Sequence, residues 1–417
     1  MTRHSLRAHG PYDPRVLFTP TRHELLAGRP FSEAGAREGI ERIAARAEQE
    51  LDAADGRWPL DLADVEKEGE GAASCLYHGA AGIAWALGEL ADEGFAPGIV
   101  ERELVEALEE RILADPDAPD LGADGVWLGV AGVLAAAERY WPDASRRDRL
   151  AELARASLAS PALEIMFGHP GHMALAAQLD ARTGEARWAE IWSSGAERLL
   201  DEWRYDDALG IWLWTQRFGT REAHNVGAAH GLVGNVHVLL RGGELLPLAQ
   251  REQVERRAVE TLTRLAVVED GMANWPPAAG GPLVANDRIR VQWCHGSAGV
   301  VTSLWDLAPD DDAWGEVLLA AGRLVWLAGP LRDQPGLCHG TAGNAYALLA
   351  LWRRTGDEQW LERARAFAMH AAKQVEDRAT RLGHGRHSLF TGDEGVALCL
   401  ASCIAGDERL PVMDRLI

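Results

Sequence analysis

The sequence is short of positive charge. Against 63 Asp and Glu stand 42 Lys and Arg, a formal net charge of −21 over 417 residues. A nucleic-acid partner needs a basic face to meet its phosphates, so this balance argues against one. No run approaches the roughly eighteen uncharged apolar residues of a membrane span, and none is expected. The opening MTRHSLRAHGPYDPRV lacks the apolar stretch of a signal peptide. Cysteine is scarce as well: five in the chain, an odd number. That fits a reduced, cytoplasmic protein whose cysteines act as thiols or metal ligands.

What the chain does have is apolar bulk and repetition. With 47% hydrophobic residues it can bury a large core, and its length implies two domains or one repetitive architecture. A Gly-x-x-Gly phrase occurs seven times: HGAAG, LGVAG, FGHPG, HGLVG, HGSAG, HGTAG and TGDEG. Its first glycines are Gly79, Gly129, Gly168, Gly231, Gly296, Gly340 and Gly392. The spacing varies from 39 residues (Gly129 to Gly168) to 65 (Gly231 to Gly296), so the connecting loops must vary. One such phrase would mean nothing; seven make an internal repeat.

After each phrase comes an Ala/Leu/Val-rich run, such as IAWALGEL or NAYALLALW, which reads as a short helix buried on most sides. Before each lies a more polar stretch with helical spacing, near 33–52, 99–114, 144–158, 186–203, 249–267, 312–328 and 358–376; LERARAFAMHAAKQV shows the pattern. An amphipathic helix must bury its stripe, and an apolar helix must be covered all round. The predicted fold is therefore all-α: an α/α toroid (a double α-barrel) with seven apolar helices inside seven amphipathic ones. Residues 1–30 read as an extension and 31–417 as one domain. Short hairpins are expected around IWLWTQRF (211–218) and RIRVQW (288–293).

In a toroid all seven glycine turns share one mouth. The residues before the first glycines then line it: His78, Leu128, Phe167, His230, His295, His339 and Thr391. Cys294 and Cys338 lie one residue further back. Two thiolates and an imidazole suit Zn²⁺, and Cys294, Cys338 and His339 form the candidate set, with a fourth position open as in catalytic sites. The rival is that buried cysteine simply packs as a small hydrophobe. Packing is the reading for Cys399 and Cys403, four apart amid apolar neighbours, and for Cys75. His230 is a candidate acid or base, or else a hydrogen-bonded core residue. Arg290, four before Cys294, is a candidate site cation or an ordinary surface charge. His78, Asp124 and His295 are candidates for substrate or outer-shell contacts.

GAAHGLVG, RVQWCHGSAG, GLCHGTAG and SLFTGDEG, in that order, resemble the lanthionine synthetase C-like proteins, from about residue 70 onward. The resemblance implies seven inner and seven outer helices and a catalytic zinc on Cys294, Cys338 and His339. It places the catalytic histidine on His230 and the active-site arginine on Arg290. The implied reaction is thiol addition to dehydroalanine or dehydrobutyrine, giving a thioether. In that family the thiol comes from a cysteine of the same peptide or from glutathione. The implied partners are thus a peptide or protein bearing dehydroamino acids, and glutathione. Two departures favour the glutathione-type or standalone branch. Peptide cyclases carry an aspartate where this chain has Gly125, with Asp124 beside it, and often a tyrosine where it has His295. No dehydratase portion is read in the sequence, so the dehydroamino acid is expected to be made elsewhere. A zinc-stabilised binding scaffold without turnover is the alternative. Sugar hydrolysis would need two flanking carboxylates, and Asp393 and Glu394 stand adjacent in a single turn.

Overall fold

Every one of the seven glycine phrases opens a helix, with its first glycine as the N-cap residue. The computed structural model describes residues 16–417 apart from 53–54, 66–70, 99 and 119–121. Residues 1–15 of the expected extension and the start of the helix expected at 99 lie outside the described residues. In chain order the helices are α1 (Glu33–Glu50), α2 (Ala80–Asp92), α3 (Arg102–Ala114), α4 (Val130–Tyr140), α5 (Ala144–Ser157), α6 (His169–Thr183) and α7 (Ala186–Glu202). There follow α8 (Leu232–Arg241), α9 (Leu248–Leu265), α10 (Ser297–Leu304), α11 (Asp312–Ala328), α12 (Thr341–Thr355), α13 (Glu358–Leu382) and α14 (Asp393–Ala405).

Burial separates the two rings. In α14 every residue from Asp393 to Cys403 is buried, whereas amphipathic α9 buries only Val254, Ala258, Thr261 and Leu262. The even-numbered helices form the inner ring: α2 packs on α4, α6 on α8, α8 on α10, α10 on α12, α12 on α14, and α14 returns to α2. The odd-numbered helices cover them, and α1 packs on α14, so the first helix closes the ring against the last. The fold is an α/α toroid. No helix among the described residues is long and apolar enough to cross a membrane.

The repeated glycines are explained by close approach. At each second glycine an added Cβ would lie 1.8–2.3 Å from the carbonyl oxygen six residues earlier, from Leu76 for Gly82 to Leu389 for Gly395. The loop folds back onto the helix start, and only a hydrogen atom fits between. Left-handed backbone, the other property glycine offers, is used at one first glycine, Gly296, with φ 99°.

The hairpins differ from expectation. IWLWTQRF joins two of them: β1 (Arg204–Asp206) pairs with β2 (Ile211–Leu213), and β3 (Gln216–Phe218) with β4 (Arg221–Ala223). Around RIRVQW the pairing is reduced to one antiparallel bridge, Ala285 with Arg288, across the Asn286-Asp287 turn. It goes no further because the backbone beyond is held by other segments: Ile289 N donates to Thr19 Oγ1 at 2.8 Å and Arg290 O accepts from Asn274. The remaining hairpin, β5 (Val267–Glu269) with β6 (Met272–Asn274), turns at Asp270-Gly271, both with positive φ, as an Asp-Gly pair favours.

Ring closure carries a buried ion cluster. His387 Nδ1 lies 2.7 Å from Glu394 Oε1 on α14, and its Nε2 lies 2.9 Å from Glu50 Oε2 at the end of α1. Asp393, with Arg46 4.0 Å away, and the Arg386–Asp64 pair surround them. Burial pushes the imidazole down, but Glu394, Asp393 and Glu50 outweigh it and raise His387 to about 9. A histidine raised on folding stabilises fully below its unfolded pKa of about 6.5, and that stability is lost as pH climbs through about 9. The loss is on the order of 3 kcal/mol. Asp393, raised by burial and by Glu394, adds a slope of the same sign at lower pH. Urea midpoints should therefore fall between pH 6.5 and 9.5 in the native protein, and fall less steeply in His387→Ala. Equal slopes in the two proteins would dismiss this account.

Candidate metal centre

At the mouth, a belt of backbone hydrogen bonds ties the turns together. Tyr77 N donates to Trp127 O (2.9 Å), Phe390 N to Tyr77 O (3.1 Å), Cys338 N to Phe390 O (2.9 Å) and Cys294 N to Cys338 O (3.1 Å). Five repeats are linked in this way. Beneath the belt Trp127, Trp293, Tyr77 and Phe390 pack ring against ring, with centroids 4.7–6.4 Å apart. A rigid aromatic floor thus holds the turns that carry the sulfurs.

The belt brings Cys294, Cys338 and His339 together: their ligand atoms all lie within 4.8 Å of one another. The two thiols are 7% and 5% exposed, and His339 is half-buried. The sulfurs lie close enough to interact directly, which drives Cys294 well below the usual thiol range and, together with burial, Cys338 well above it. Two close, buried sulfurs beside an imidazole are a donor set that fits Zn²⁺. Each sulfur also faces a donor outside the set: Gln292 Nε2 at 2.9 Å from Cys294 Sγ, and the Tyr77 hydroxyl toward Cys338.

His230 stands at the same mouth. Its Nδ1 lies 2.9 Å from Glu164 Oε2, and its ring stacks between Phe167 (5.7 Å) and His295 (6.1 Å). Glu164 is fully buried and also accepts from the backbone N–H of Phe167 (2.6 Å) and Met166 (3.2 Å). Burial lowers His230, but the Glu164 hydrogen bond and charge outweigh it, so its pKa is raised. With Nδ1 held by a carboxylate and the side chain 32% exposed, its other nitrogen is the one left for a ligand. His295, beside Cys294, is lowered by burial and by His230. Close packing here depends on Gly227, where a Cβ would lie 2.1 Å from Cys294 O and 2.6 Å from His295 Nδ1.

Arg290 is half-buried, donates to Ala285 O at 3.3 Å and lies near enough to Cys294 for their charges to interact. Burial and Arg288 lower it. His78 is buried beside Cys75, edge-on to Tyr77 at 5.8 Å. Asp124 lies on the loop that leads into α4. Its side chain is exposed, and what it offers inward is its backbone carbonyl, taken by buried His172.

Sequence reasoning missed Glu164, Gln292, Tyr77 and Arg22. Glu164 follows Leu163, whose φ of 44° is not legible in the sequence. Arg22 comes from the extension. Residues 17–24 lie across both ligand loops, with Leu17 O accepting from Asn274, Arg22 O from Arg332 N, and His23 O from Arg332 Nη2. Arg22 thereby joins Arg288 and Arg290 near Cys294.

Fold and cluster together define the class: an α/α toroid with a candidate soft-metal centre at one mouth. The family model for lanthionine synthetase C-like protein matches residues 72–415, and the chain belongs to that family. It is similar to LanC-like protein GCL1 of Arabidopsis thaliana (34% identical over 182 residues, 42% of this chain and 39% of the relative). It is similar, too, to glutathione S-transferase LANCL1 of Danio rerio (33% over 178 residues, 42% and 39%). The chain thus spans about two fifths of the length of these curated relatives. Among solved structures nisin cyclase shares the fold, with TM-score 0.60, 16% identity and coverage of 88% of this chain and 93% of that one.

Proposed function

We propose that residues 31–417 form one catalytic domain of a cytoplasmic, zinc-dependent enzyme. Its reaction is the addition of a thiol to dehydroalanine or dehydrobutyrine, with formation of a C–S bond. The observation that carries this reading is the convergence of Cys294, Cys338 and His339 within 4.8 Å, next to a carboxylate-held His230. The names of the relatives, a glutathione S-transferase and a LanC-like protein, point to the same chemistry, and the first favours glutathione as the thiol.

Cys294, Cys338 and His339 would hold the ion. Zinc bound there supplies a Lewis acid that keeps a coordinated thiol ionised at neutral pH. The chain's own residues serve the acceptor. As sulfur joins the β-carbon, negative charge gathers on the acceptor's carbonyl oxygen, and the Arg290 guanidinium is the cation at hand to offset it. His230, its pKa raised by Glu164, then delivers a proton to the α-carbon. Atoms balance: the sulfur ends on the β-carbon, His230 supplies the hydrogen on the α-carbon, and the proton lost when the thiol ionised returns His230 to its starting state through solvent.

The test is an adduct assay. Zinc-loaded protein is offered a dehydroalanine peptide with an internal cysteine, or one without it plus glutathione, and products are followed by mass. Adduct above the uncatalysed level with glutathione supports the transferase form, and ring closure supports the cyclase. Neither would leave a metal-stabilised binding scaffold.

A further inference from the structure

The two sulfurs of the candidate centre are each approached by a polar side chain from outside the ligand set. Gln292, 5% exposed, donates from Nε2 to Cys294 Sγ at 2.9 Å. Its amide oxygen Oε1 is buried with no partner among the described residues. Such an orphan is costly, and an amide placed for its own satisfaction would use both ends. Tyr77 interacts through its hydroxyl with the Cys338 sulfur. Its ring is fixed by stacking on Phe390 (5.4 Å, 12°) and its backbone by bonds to Trp127 and Phe390.

We infer that Gln292 and Tyr77 are positioning residues that each donate one hydrogen bond to a metal-bound thiolate, drawing charge off both sulfurs so that the centre accepts a third, substrate sulfur. The inference rests on the metal reading above and deepens it. Two thiolates and a neutral imidazole already cancel the charge of a divalent ion. A third thiolate makes the centre net negative, which low-dielectric surroundings disfavour. Hydrogen bonds to the two resident sulfurs spread that charge into the protein, as outer-shell partners do at other metal sites.

The test uses the full chain loaded with Co²⁺, whose sulfur-to-metal charge-transfer absorption reports how much charge each sulfur donates. Gln292→Met removes the donor at similar volume, and Tyr77→Phe keeps the stacked ring. Each should move the absorption to lower energy, the double variant further, with one cobalt still bound per chain. Each should also weaken binding of β-mercaptoethanol to the bound cobalt about tenfold, read from the charge-transfer intensity it adds. Absorption and thiol affinity unchanged in both single variants would overturn the inference alone. Failure of the native protein to bind cobalt would overturn the metal reading beneath it.

Discussion

Cys338→Ala is expected to lose metal and turnover together. Its sulfur lies within 4.8 Å of the other two ligand atoms, and its backbone is a link in the belt, accepting from Cys294 N and donating to Phe390 O. Alanine keeps those backbone bonds, so the toroid should fold while the donor set falls to one thiolate and one imidazole. The loss of affinity should exceed the ~10–100-fold that removal of an outer-shell partner costs. Metal content by mass spectrometry, circular dichroism and the adduct assay read the three consequences separately. A variant that still binds one equivalent of zinc tightly and turns over would refute the assignment. Replacing Cys399 makes the control: it is buried on α14, its sulfur 3.6 Å from Ala342 O, and its loss should touch stability only.

Replacing His230 by alanine should leave the metal in place and slow the reaction by roughly 10²–10⁴-fold, the usual worth of a positioned acid or base. Glu164→Gln offers the finer reading. Burial already lowers His230, and Glu164 is what turns the net shift upward. Without that charge the imidazolium is lost at lower pH, so the alkaline limb of the pH–rate profile should move to lower pH. Metal content should stay unchanged. Equal rates in His230→Ala and native protein would remove His230 from the mechanism, and an unmoved limb in Glu164→Gln would mean that the limb belongs to another group.

The repeat was legible because the toroid imposes the same demand seven times. Each inner helix needs a glycine where a carbonyl crosses its first turn, and each outer helix needs a stripe of apolar residues. Boundaries read from that pattern fall close to the observed ones: 144–158 against Ala144–Ser157, and 186–203 against Ala186–Glu202. The last outer helix runs on to Leu382, six residues beyond expectation, because no breaker precedes Gly383. The hairpin expected at 288–293 shrinks to the single Ala285–Arg288 bridge, because Thr19, far away in the chain, takes the Ile289 N–H and Asn274 takes the Arg290 carbonyl.

By itself, then, the sequence determined the ring, the common mouth and the three candidate ligands of a soft metal, since periodicity and residue type are local properties. Only the tertiary structure decided that Glu164 grips His230 across 66 positions, that Asp124 faces solvent, and that an N-terminal segment lays Arg22 beside Arg290. It also decided that Gln292 and Tyr77 face the sulfurs. Those are relations of distance and direction between residues with no shared pattern, and they come into being when burial and backbone pairing close the chain on itself.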